Sequence, residues 1–259
     1  MSDCIEWAKQ DGVGILTLNR PAKQNALNAE LLGALEERIT VCETDPEVKV
    51  LLVRAAGKSF CAGGDLDAHP FFSSSSPAER EAHIRQAQKV TLGLRRLRQP
   101  VIAAVQGIAG GAGLDLALAC DIRIATAEAR FGVFFTRAGL MPDMGGTYLM
   151  PRLLGPAKAL ELLYTGDLID AAEALRIGLV NRVVAAAEIE SVAMAFAARL
   201  SRGPLLANAQ VKASVYRSQS LEEALDREAQ GQTLLADSDD VREGVAAFRA
   251  GRKAEFKGR

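Results

Sequence analysis

Histidine, tryptophan and paired cysteines are scarce in this chain, which has two histidines, one tryptophan and four cysteines among 259 residues. Cys4, Cys42, Cys61 and Cys120 are far apart and lack the C-x-x-C spacing with nearby histidines that a zinc site needs. We therefore predict four free thiols, no bound metal and a reducing, cytoplasmic location. The first ten residues lack the charged-then-apolar pattern of a signal peptide, which also favours the cytoplasm.

The chain has no excess of either charge. Its 31 Lys and Arg residues balance 32 Asp and Glu residues, so it has no general electrostatic attraction for nucleic acid or an anionic membrane. The longest apolar stretch, Val101–Cys120, contains Gln106, Asp115 and four glycines, which argues against a transmembrane helix. With 49% apolar and 24% charged residues, the composition is typical of a globular protein. We expect neither a nucleic acid nor a membrane as a partner.

Three common catalytic and cofactor-binding patterns are absent from the sequence. A phosphate-binding P-loop ending at Gly57-Lys58-Ser59 requires glycine at the position of Leu52. A dinucleotide fingerprint starting at Gly111 requires glycine or alanine at the position of Leu116. The chain has no G-x-S-x-G turn, and we interpret His83 as a half-exposed helix residue without a catalytic partner. The sequence therefore argues against nucleotide-dependent chemistry and against a Ser-His-Asp triad.

Short apolar runs alternate with helical periodicity in the first half of the chain. The runs are bounded by turn residues and are rich in β-branched or aliphatic side chains, as expected of buried strands. Alternation of this kind predicts a parallel sheet covered by helices. The predicted strands are Gly14–Leu18, Val48–Val53, Val101–Val105 and Ile122–Ala125, and the predicted helices are Ala26–Ile39 and Ala112–Ala119.

The last third of the chain is predicted to be helical. After about Gly155, the strand signal is limited to Leu179–Val184. Between the earlier strands, Ala68–Ser76 contains four consecutive serines and predicts an exposed, mobile loop. The expected class is α/β with a C-terminal helical region. The predicted C-terminal helices are Pro156–Tyr164, Ala186–Leu200, Pro204–Tyr216 and Leu221–Ala236.

Three glycine-bearing turns follow apolar strands. Glycine permits positive φ and a close approach of neighbouring backbone. A helix that begins after such a turn has unpaired N–H groups at its positive end, where an anion can accept hydrogen bonds. Each turn is therefore a potential anion site. The turns are Ser59–Leu66, Gln106–Gly113 and Gly139–Thr147.

These turns and their neighbours resemble the ordered blocks of the crotonase, or enoyl-CoA hydratase/isomerase, superfamily. The order and spacing match across nearly the whole chain. The resemblance implies a ββα spiral core over residues 1–200 and a helical trimerisation region over residues 201–259. It also implies assembly as a homotrimer or a dimer of trimers, an acyl-coenzyme A thioester as substrate, and no separate cofactor. The matching blocks are Asn19–Leu27, Ser59–Leu66, Gly107–Gly113, Pro142–Thr147, Thr165–Asn181 and Glu243–Phe256.

The resemblance also implies the roles of individual residues. The backbone N–H groups of Gly64 and Ala112 would form an oxyanion hole, which suits chemistry that places negative charge on a thioester oxygen. The residues implied to line the coenzyme A site include two lysines, which suit phosphate as compact charges. Those residues are Lys23, Gln24, Ala26, Lys58, Ala62, Asp65 and Leu66, with Lys253 and Phe256 of the tail as further contacts.

The residues implied for catalysis favour isomerisation over hydration. Family hydratases use two glutamates, and the matching residues here are Asp115 and Phe135. Aspartate is shorter than glutamate, and phenylalanine cannot transfer a proton. Asp143 resembles the base of family isomerases, including the phenylacetate ring-isomerase branch. Family dehalogenases carry a nucleophilic aspartate at that place, but their helix histidine corresponds here to Gln88, which argues against their chemistry.

Three functional hypotheses follow. The preferred one is an enoyl-CoA double-bond isomerase with Asp143 as the acid/base group. The alternatives are an enoyl-CoA hydratase that uses Asp115 and water, and a non-catalytic acyl-CoA-binding protein that keeps only the oxyanion scaffold. Each aspartate also has an alternative, purely structural interpretation. Asp143 could cap a helix after Pro142, and Asp115 could be a buried structural acid.

Overall fold

The computed structural model describes residues 3–68 and 75–258, so residues 69–74 of the predicted Ala68–Ser76 loop lie outside the described residues. The strands form two sheets, one of six strands in the order β1-β2-β3-β4-β6-β9 and one of three strands in the order β5-β7-β8. The strands are β1 (Ile5–Gln10), β2 (Val13–Leu18), β3 (Val50–Ala55), β4 (Val101–Val105), β5 (Ile108–Gly110), β6 (Ile122–Thr126), β7 (Arg130–Gly132), β8 (Leu168–Asp170) and β9 (Arg182–Val184).

The main sheet is parallel from β2 to β9, as the alternation of strands and helices predicted. Strand β1 was not predicted, and it pairs antiparallel with β2 at the edge of the sheet. Asp11 and Gly12 join these two strands with φ of 52° and 78°, the positive values that a two-residue hairpin turn needs. The residues of β1 are mostly exposed and half of them are polar, which explains why the apolar pattern missed this edge strand.

Helices cover both faces of the main sheet. Alternate residues of each central strand face opposite sides, so Leu51 and Val53 of β3 pack with α1 to α3 while Val50 and Leu52 pack against α7. This two-sided burial explains the continuous apolar runs of the strands. The helices are α1 (Ala29–Thr44), α2 (Pro77–Arg96), α3 (Ala112–Ala119), α4 (Gly146–Leu154), α5 (Pro156–Thr165), α6 (Ala171–Arg176), α7 (Ile189–Ser201), α8 (Leu205–Arg217), α9 (Leu221–Ala236) and α10 (Asp239–Ala250).

The C-terminal helices confirm the predicted α/β class with a helical C-terminal region. Helix α8 is fixed to the core by polar groups: the ammonium of Lys212 and the hydroxyl of Tyr216 both lie 2.8 Å from the carboxylate of Asp121. Lys212 also donates to the carbonyls of Leu94 and Gln99. Removing one partner of such a shielded ion pair would leave the other charge buried without compensation, which is costly. The pair therefore stabilises the packing of α8 against the core.

The structure differs from the prediction at several elements: β3 and α1 begin later than predicted, and β5, β7, β8 and α10 were not predicted. Leu179–Val184 was predicted as a strand, but only Arg182–Val184 is extended. The N–H groups of Leu179 and Val180 bind the carbonyl of Ala174, so these residues complete the end of α6. Every helix in the described ranges is too short or too polar to span a bilayer. The four cysteines are buried free thiols, as predicted.

Candidate active site

The first two glycine turns meet at the carboxyl ends of the parallel strands. The turn after β3 pairs on one side with the segment after β2, through the N–H of Leu27 and the carbonyl of Gly63 at 2.7 Å. On the other side, Cys61 pairs with β5, where its N–H binds the carbonyl of Ile108 at 3.1 Å. Strand β5 leads into α3 after one residue. The backbone ladder therefore brings Gly64 and the N-terminus of α3 to the same place.

Two backbone N–H groups are available at this meeting point. Gly64 and Ala112 donate no hydrogen bond within the part of the chain that the structure describes. Ala112 is the first residue of α3, where N–H groups have no partner inside the helix. A side chain on Gly63 would place its Cβ 3.0 Å from the carbonyl oxygen of Gly110 and 3.7 Å from the nitrogen of Ala112. Because Gly63 has no side chain and a φ of 117°, its backbone can lie close to that of Gly110 and Ala112, which brings the two donors near each other.

A small cavity of about 20 Å³ lies beside these donors, with room for about one water-sized group. It brings together three of the four predicted catalytic residues: Gly64, Ala112 and Asp143. Asp115, the fourth, does not line it. The other lining residues are Leu27, Leu32, His83, Ala87 and Met144.

Asp143 lies in the turn before α4 and contributes the carboxyl group of the cavity. Burial raises the pKa of this half-buried side chain, against the opposing effect of its own backbone amide. Its Oδ1 atom is buried and has no hydrogen-bond partner among the described residues. The Oδ2 atom of Asp115 shares this property. Buried polar atoms of this kind call for a partner, and Asp143 is the one of the two residues that lines the cavity. A carboxylate with a raised pKa is suited to accept and return a proton.

Asp115 lies on α3 and is only 1% exposed. Burial and the nearby charge of Asp143 raise the pKa of Asp115 to about 7, against the opposing effect of the backbone amides of Gly146 and Met144. Gly146 is needed here, because a Cβ at that residue would lie 2.4 Å from the Oδ1 of Asp115. Asp115 therefore lies behind the Asp143 turn, outside the lining of the cavity.

The raised pKa of Asp115 predicts a pH dependence of stability. Its pKa is 3.8 when unperturbed, as in the unfolded chain, and about 7 when folded, so the folded state binds more protons between these values. The contribution of Asp115 to stability is therefore complete below about pH 4 and is lost as pH rises through about 7.

Urea unfolding of the wild type and Asp115→Asn at about pH 5 and about pH 7.5 checks this prediction. Between these two pH values, we expect the free energy of unfolding to fall on the order of 1–4 kcal/mol more in the wild type than in the variant. Asparagine has nearly the same shape as aspartate but does not titrate. The variant therefore keeps the packing and is a matched control for the loss of the ionisable group. Equal losses in both proteins would mean that the pKa of Asp115 is close to its ordinary value.

Phe135, the residue matched to the second glutamate of family hydratases, presents an apolar ring beside the start of α3 and does not line the cavity. A Cβ on Gly111 would lie 3.9 Å from its ring, so the ring lies next to the start of α3. It is half-buried and packs against the hydrophobic core. Among the described residues, no group of three or more His, Cys, Asp or Glu side chains is arranged to hold a metal ion.

The residues predicted to contact coenzyme A lie in two segments: the one after β2, and the turn after β3 that carries Gly64. The N–H of Ala62 binds the carbonyl of Gln24 at 3.0 Å, and this bond ties the segments together. The side chains of Lys58 and Leu66 are exposed, whereas Ala26 is buried in the loop. Lys23 is exposed as well, and its ammonium pairs with Asp67 at 2.5 Å.

Asp65 is occupied by an ion pair that the sequence analysis missed. Its carboxylate lies 2.8 Å from the guanidinium of Arg20, which also donates to the carbonyl of Ala26. Burial raises the pKa of Asp65, but the hydrogen bond and charge of Arg20 outweigh it and hold the pKa below its usual value. The pair fixes the segment after β2 to the turn that carries Gly64.

Two further residues need comparison with their sequence-based interpretation. His83 is a half-exposed residue of a helix, α2, as interpreted, and it also lines the cavity with Asp143. Burial lowers the pKa of its imidazole, which favours the neutral form. Its spacing of four residues from Ala87, which also lines the cavity, was the available signal. Phe256 of the tail lies beside Gly244, in a groove with Gly12 and Lys49 at the amino ends of β2 and β3, away from this site.

Comparisons with known proteins identify the family of this chain. A family model described as enoyl-CoA hydratase/isomerase matches residues 8–259. The chain is 39% identical over 251 residues to crotonyl-CoA hydratase of Syntrophomonas wolfei, covering 96% of this chain and 95% of the relative. It is 37% identical over 253 residues to 1,2-epoxyphenylacetyl-CoA isomerase of Escherichia coli K12, covering 96% and 97%. The crystal structure of an enoyl-CoA hydratase from Bacillus anthracis superposes with a TM-score of 0.94 at 32% identity, covering 99% and 100%.

Proposed function

Because the chain belongs to the enoyl-CoA hydratase/isomerase family and is an enzyme of that family, we propose that it moves the double bond of an enoyl-CoA thioester. The observation that carries this proposal is the cavity lined by Gly64, Ala112 and Asp143, where two backbone N–H groups without a partner among the described residues lie beside the one acidic residue of the lining. Asp143 is the proposed acid/base group, and the two N–H groups form the proposed oxyanion hole.

The proposed reaction needs one base and one anion site. The carboxylate of Asp143 removes a proton from the α-carbon of a 3-enoyl-CoA, and the electron pair moves to the thioester oxygen. The N–H groups of Gly64 and Ala112 hold this oxygen, and the N-terminus of α3 adds its positive end. The protonated Asp143 then returns the proton to the γ-carbon, and the enolate electrons form the conjugated 2-enoyl-CoA. No proton or electron is gained or lost, so no further cofactor is needed.

Hydration is the second candidate, because crotonyl-CoA hydratase is among the similar proteins. Hydration in this chain would depend on Asp115 and a bound water. Its support is weaker, because Asp115 does not line the cavity and Phe135 replaces the second glutamate. The third candidate, a non-catalytic acyl-CoA-binding protein, would keep the two N–H groups and use neither aspartate.

Product analysis in deuterated water separates the three candidates. An isomerase interconverts 3-enoyl-CoA and 2-enoyl-CoA and incorporates solvent deuterium at the α- and γ-carbons. A hydratase converts 2-enoyl-CoA to a 3-hydroxyacyl-CoA, which absorbs less ultraviolet light and is heavier by one added water of the solvent. Absence of both products, with acyl-CoA bound, would leave only the binding protein. The panel should include straight-chain and ring-bearing acyl groups, since the acyl preference is open.

The proposed coenzyme A site predicts a selective effect of Lys58→Ala. Removing its exposed ammonium should raise the KM for acyl-CoA about 3- to 10-fold, because an exposed charge contributes about 1 kcal/mol to phosphate binding. The KM for the matching acyl-pantetheine thioester, which lacks the nucleotide, should not change. Lys49→Ala, on the opposite edge of the sheet, is the control. An equal rise for both substrates would contradict the phosphate contact.

We also propose self-association through residues 201–259, as a trimer or a dimer of trimers. Helices α8 to α10 expose apolar side chains that a partner would cover, and Phe248 is 88% exposed. Sedimentation of the wild type and a Phe248→Lys variant tests this assembly. The buried thiols of the four cysteines support a proposed reducing, cytoplasmic location.

A further inference from the structure

The turn that carries Asp143 has no regular secondary structure. It spans Pro142–Gly145 and leads into α4. The N–H groups of Tyr148 and Leu149 both bind the carbonyl of Gly145 at 2.9 Å, so α4 holds only the last residue of the turn. The position of the carboxyl group therefore depends on what holds Asp143 and Met144.

Two side chains of α2 hold the carbonyls of these residues, and the carboxyl group of Asp115 on α3 interacts with the backbone amide of Met144. The amide nitrogen Nε2 of Gln88 donates to the carbonyl of Asp143 at 3.1 Å, and the hydroxyl of Thr91 donates to the carbonyl of Met144 at 2.8 Å. Residues three apart on a helix face the same side, so both bonds come from one face of α2. Thr91 is 8% exposed, and its loss would leave the carbonyl of Met144 without a partner in a shielded place.

The same face of α2 also forms part of the cavity wall. His83 and Ala87 line the cavity, and Thr91 follows Ala87 by one helical turn. The wall that would contact the acyl group and the turn that carries the proposed base are therefore joined by one helix. This arrangement fixes the distance from Asp143 to the cavity wall.

We propose that Thr91 and Gln88 are positioning residues that hold the carboxyl group of Asp143 in line with the reacting carbon. The proposal rests on the proposed role of Asp143 as the acid/base group. Its physical basis is the steep dependence of reaction rate on geometry, in which a displacement of about 1 Å costs about 100-fold. Thr91 has the larger role, because its hydrogen bond is the shorter and the more deeply buried.

The test compares Thr91→Val with Thr91→Ser. Valine has the shape of threonine without the hydroxyl, so we expect kcat for 3-enoyl-CoA isomerisation to fall about 10- to 100-fold while KM stays within about 3-fold. Serine keeps the hydroxyl and should restore kcat to within about 3-fold of the wild type. Gln88→Met removes the second donor and should lower kcat by a smaller factor. If Thr91→Val does not fold, the kcat of Gln88→Met tests the proposal.

A double variant distinguishes positioning from general damage to the fold. If Thr91 acts through Asp143, adding Thr91→Val to Asp143→Asn should cause no further loss of the residual rate. A wild-type kcat in both Thr91→Val and Gln88→Met would overturn the proposal, as would the same fractional loss in the double variant. These results would leave the isomerase assignment intact if Asp143→Asn is inactive. An active Asp143→Asn enzyme would instead overturn the proposed function itself.

Discussion

Asp143→Asn is expected to lower the rate of 3-enoyl-CoA isomerisation by about 10²- to 10⁴-fold, the usual range for loss of a general acid/base. Asparagine preserves the size of the side chain but cannot take the proton from the α-carbon. Binding of acyl-CoA should persist, because the N–H groups of Gly64 and Ala112 belong to the backbone. Mass spectrometry in deuterated water measures both the isomerised product and α-carbon exchange, and both should be lost together.

Asp115→Asn is the matched control for this experiment. It replaces a neighbouring buried carboxyl by the same amide, but the residue does not line the cavity. We expect it to keep isomerisation within about 10-fold of the wild type, since it acts on Asp143 through charge and through the backbone amides of Met144 and Gly146, and not by contact with the substrate. The opposite pattern, with Asp143→Asn active and Asp115→Asn inactive, would assign the chemistry to Asp115. Hydrated product in the wild type would then identify the enzyme as a hydratase.

Ala112→Pro is expected to lower kcat by about 10²- to 10³-fold, corresponding to about 2.7–4 kcal/mol for one lost oxyanion donor. Ala112 is the first residue of α3, the position at which a helix tolerates proline because its N–H has no partner inside the helix. The substitution therefore removes the proposed donor without removing a helical hydrogen bond. Thermal unfolding should show that the variant remains folded.

Ala112→Gly is the control for this second prediction, because it keeps the N–H and removes only a methyl group. Its kcat should stay within about 10-fold of the wild type, reflecting the modest cost of glycine in the first turn. The proline ring also occupies space beside the cavity, so product analysis should be accompanied by a binding measurement with saturated acyl-CoA. A folded Ala112→Pro enzyme with unchanged kcat would show that this N–H does not hold the oxyanion.

Local patterns predicted the sheet well because its strands are buried on both faces. Val101–Val105 was predicted and observed with the same bounds, since every residue in it is apolar and inaccessible. Strand β1 escaped prediction because its edge position leaves it mostly exposed. The strand predicted at Leu179–Val184 was too long, because the first apolar residues serve the end of α6 rather than the sheet.

The glycine turns predicted where the site would form. They did not predict which side chains line the cavity and which ones hold the turn in place. The sequence analysis preferred Asp143 over Asp115 only through its resemblance to family isomerases, because which carboxyl group lines the cavity depends on how the turn before α4 lies against α3. The contributions of Gln88 and Thr91 were also hidden. They act across 55 and 53 residues of sequence, and their hydrogen bonds go to backbone atoms that carry no signature in the sequence.

The use of backbone N–H groups as the proposed anion site has a consequence for how this enzyme can diverge. Most codon changes leave an N–H in place, so affinity for a thioester enolate survives substitutions that would destroy a site made of side chains. In the proposed mechanism, the identity of the reaction depends instead on a few replaceable side chains, at residues 115, 135 and 143. A gene copy can therefore exchange one proton-transfer chemistry for another through single substitutions, without passing through a form that has lost its substrate.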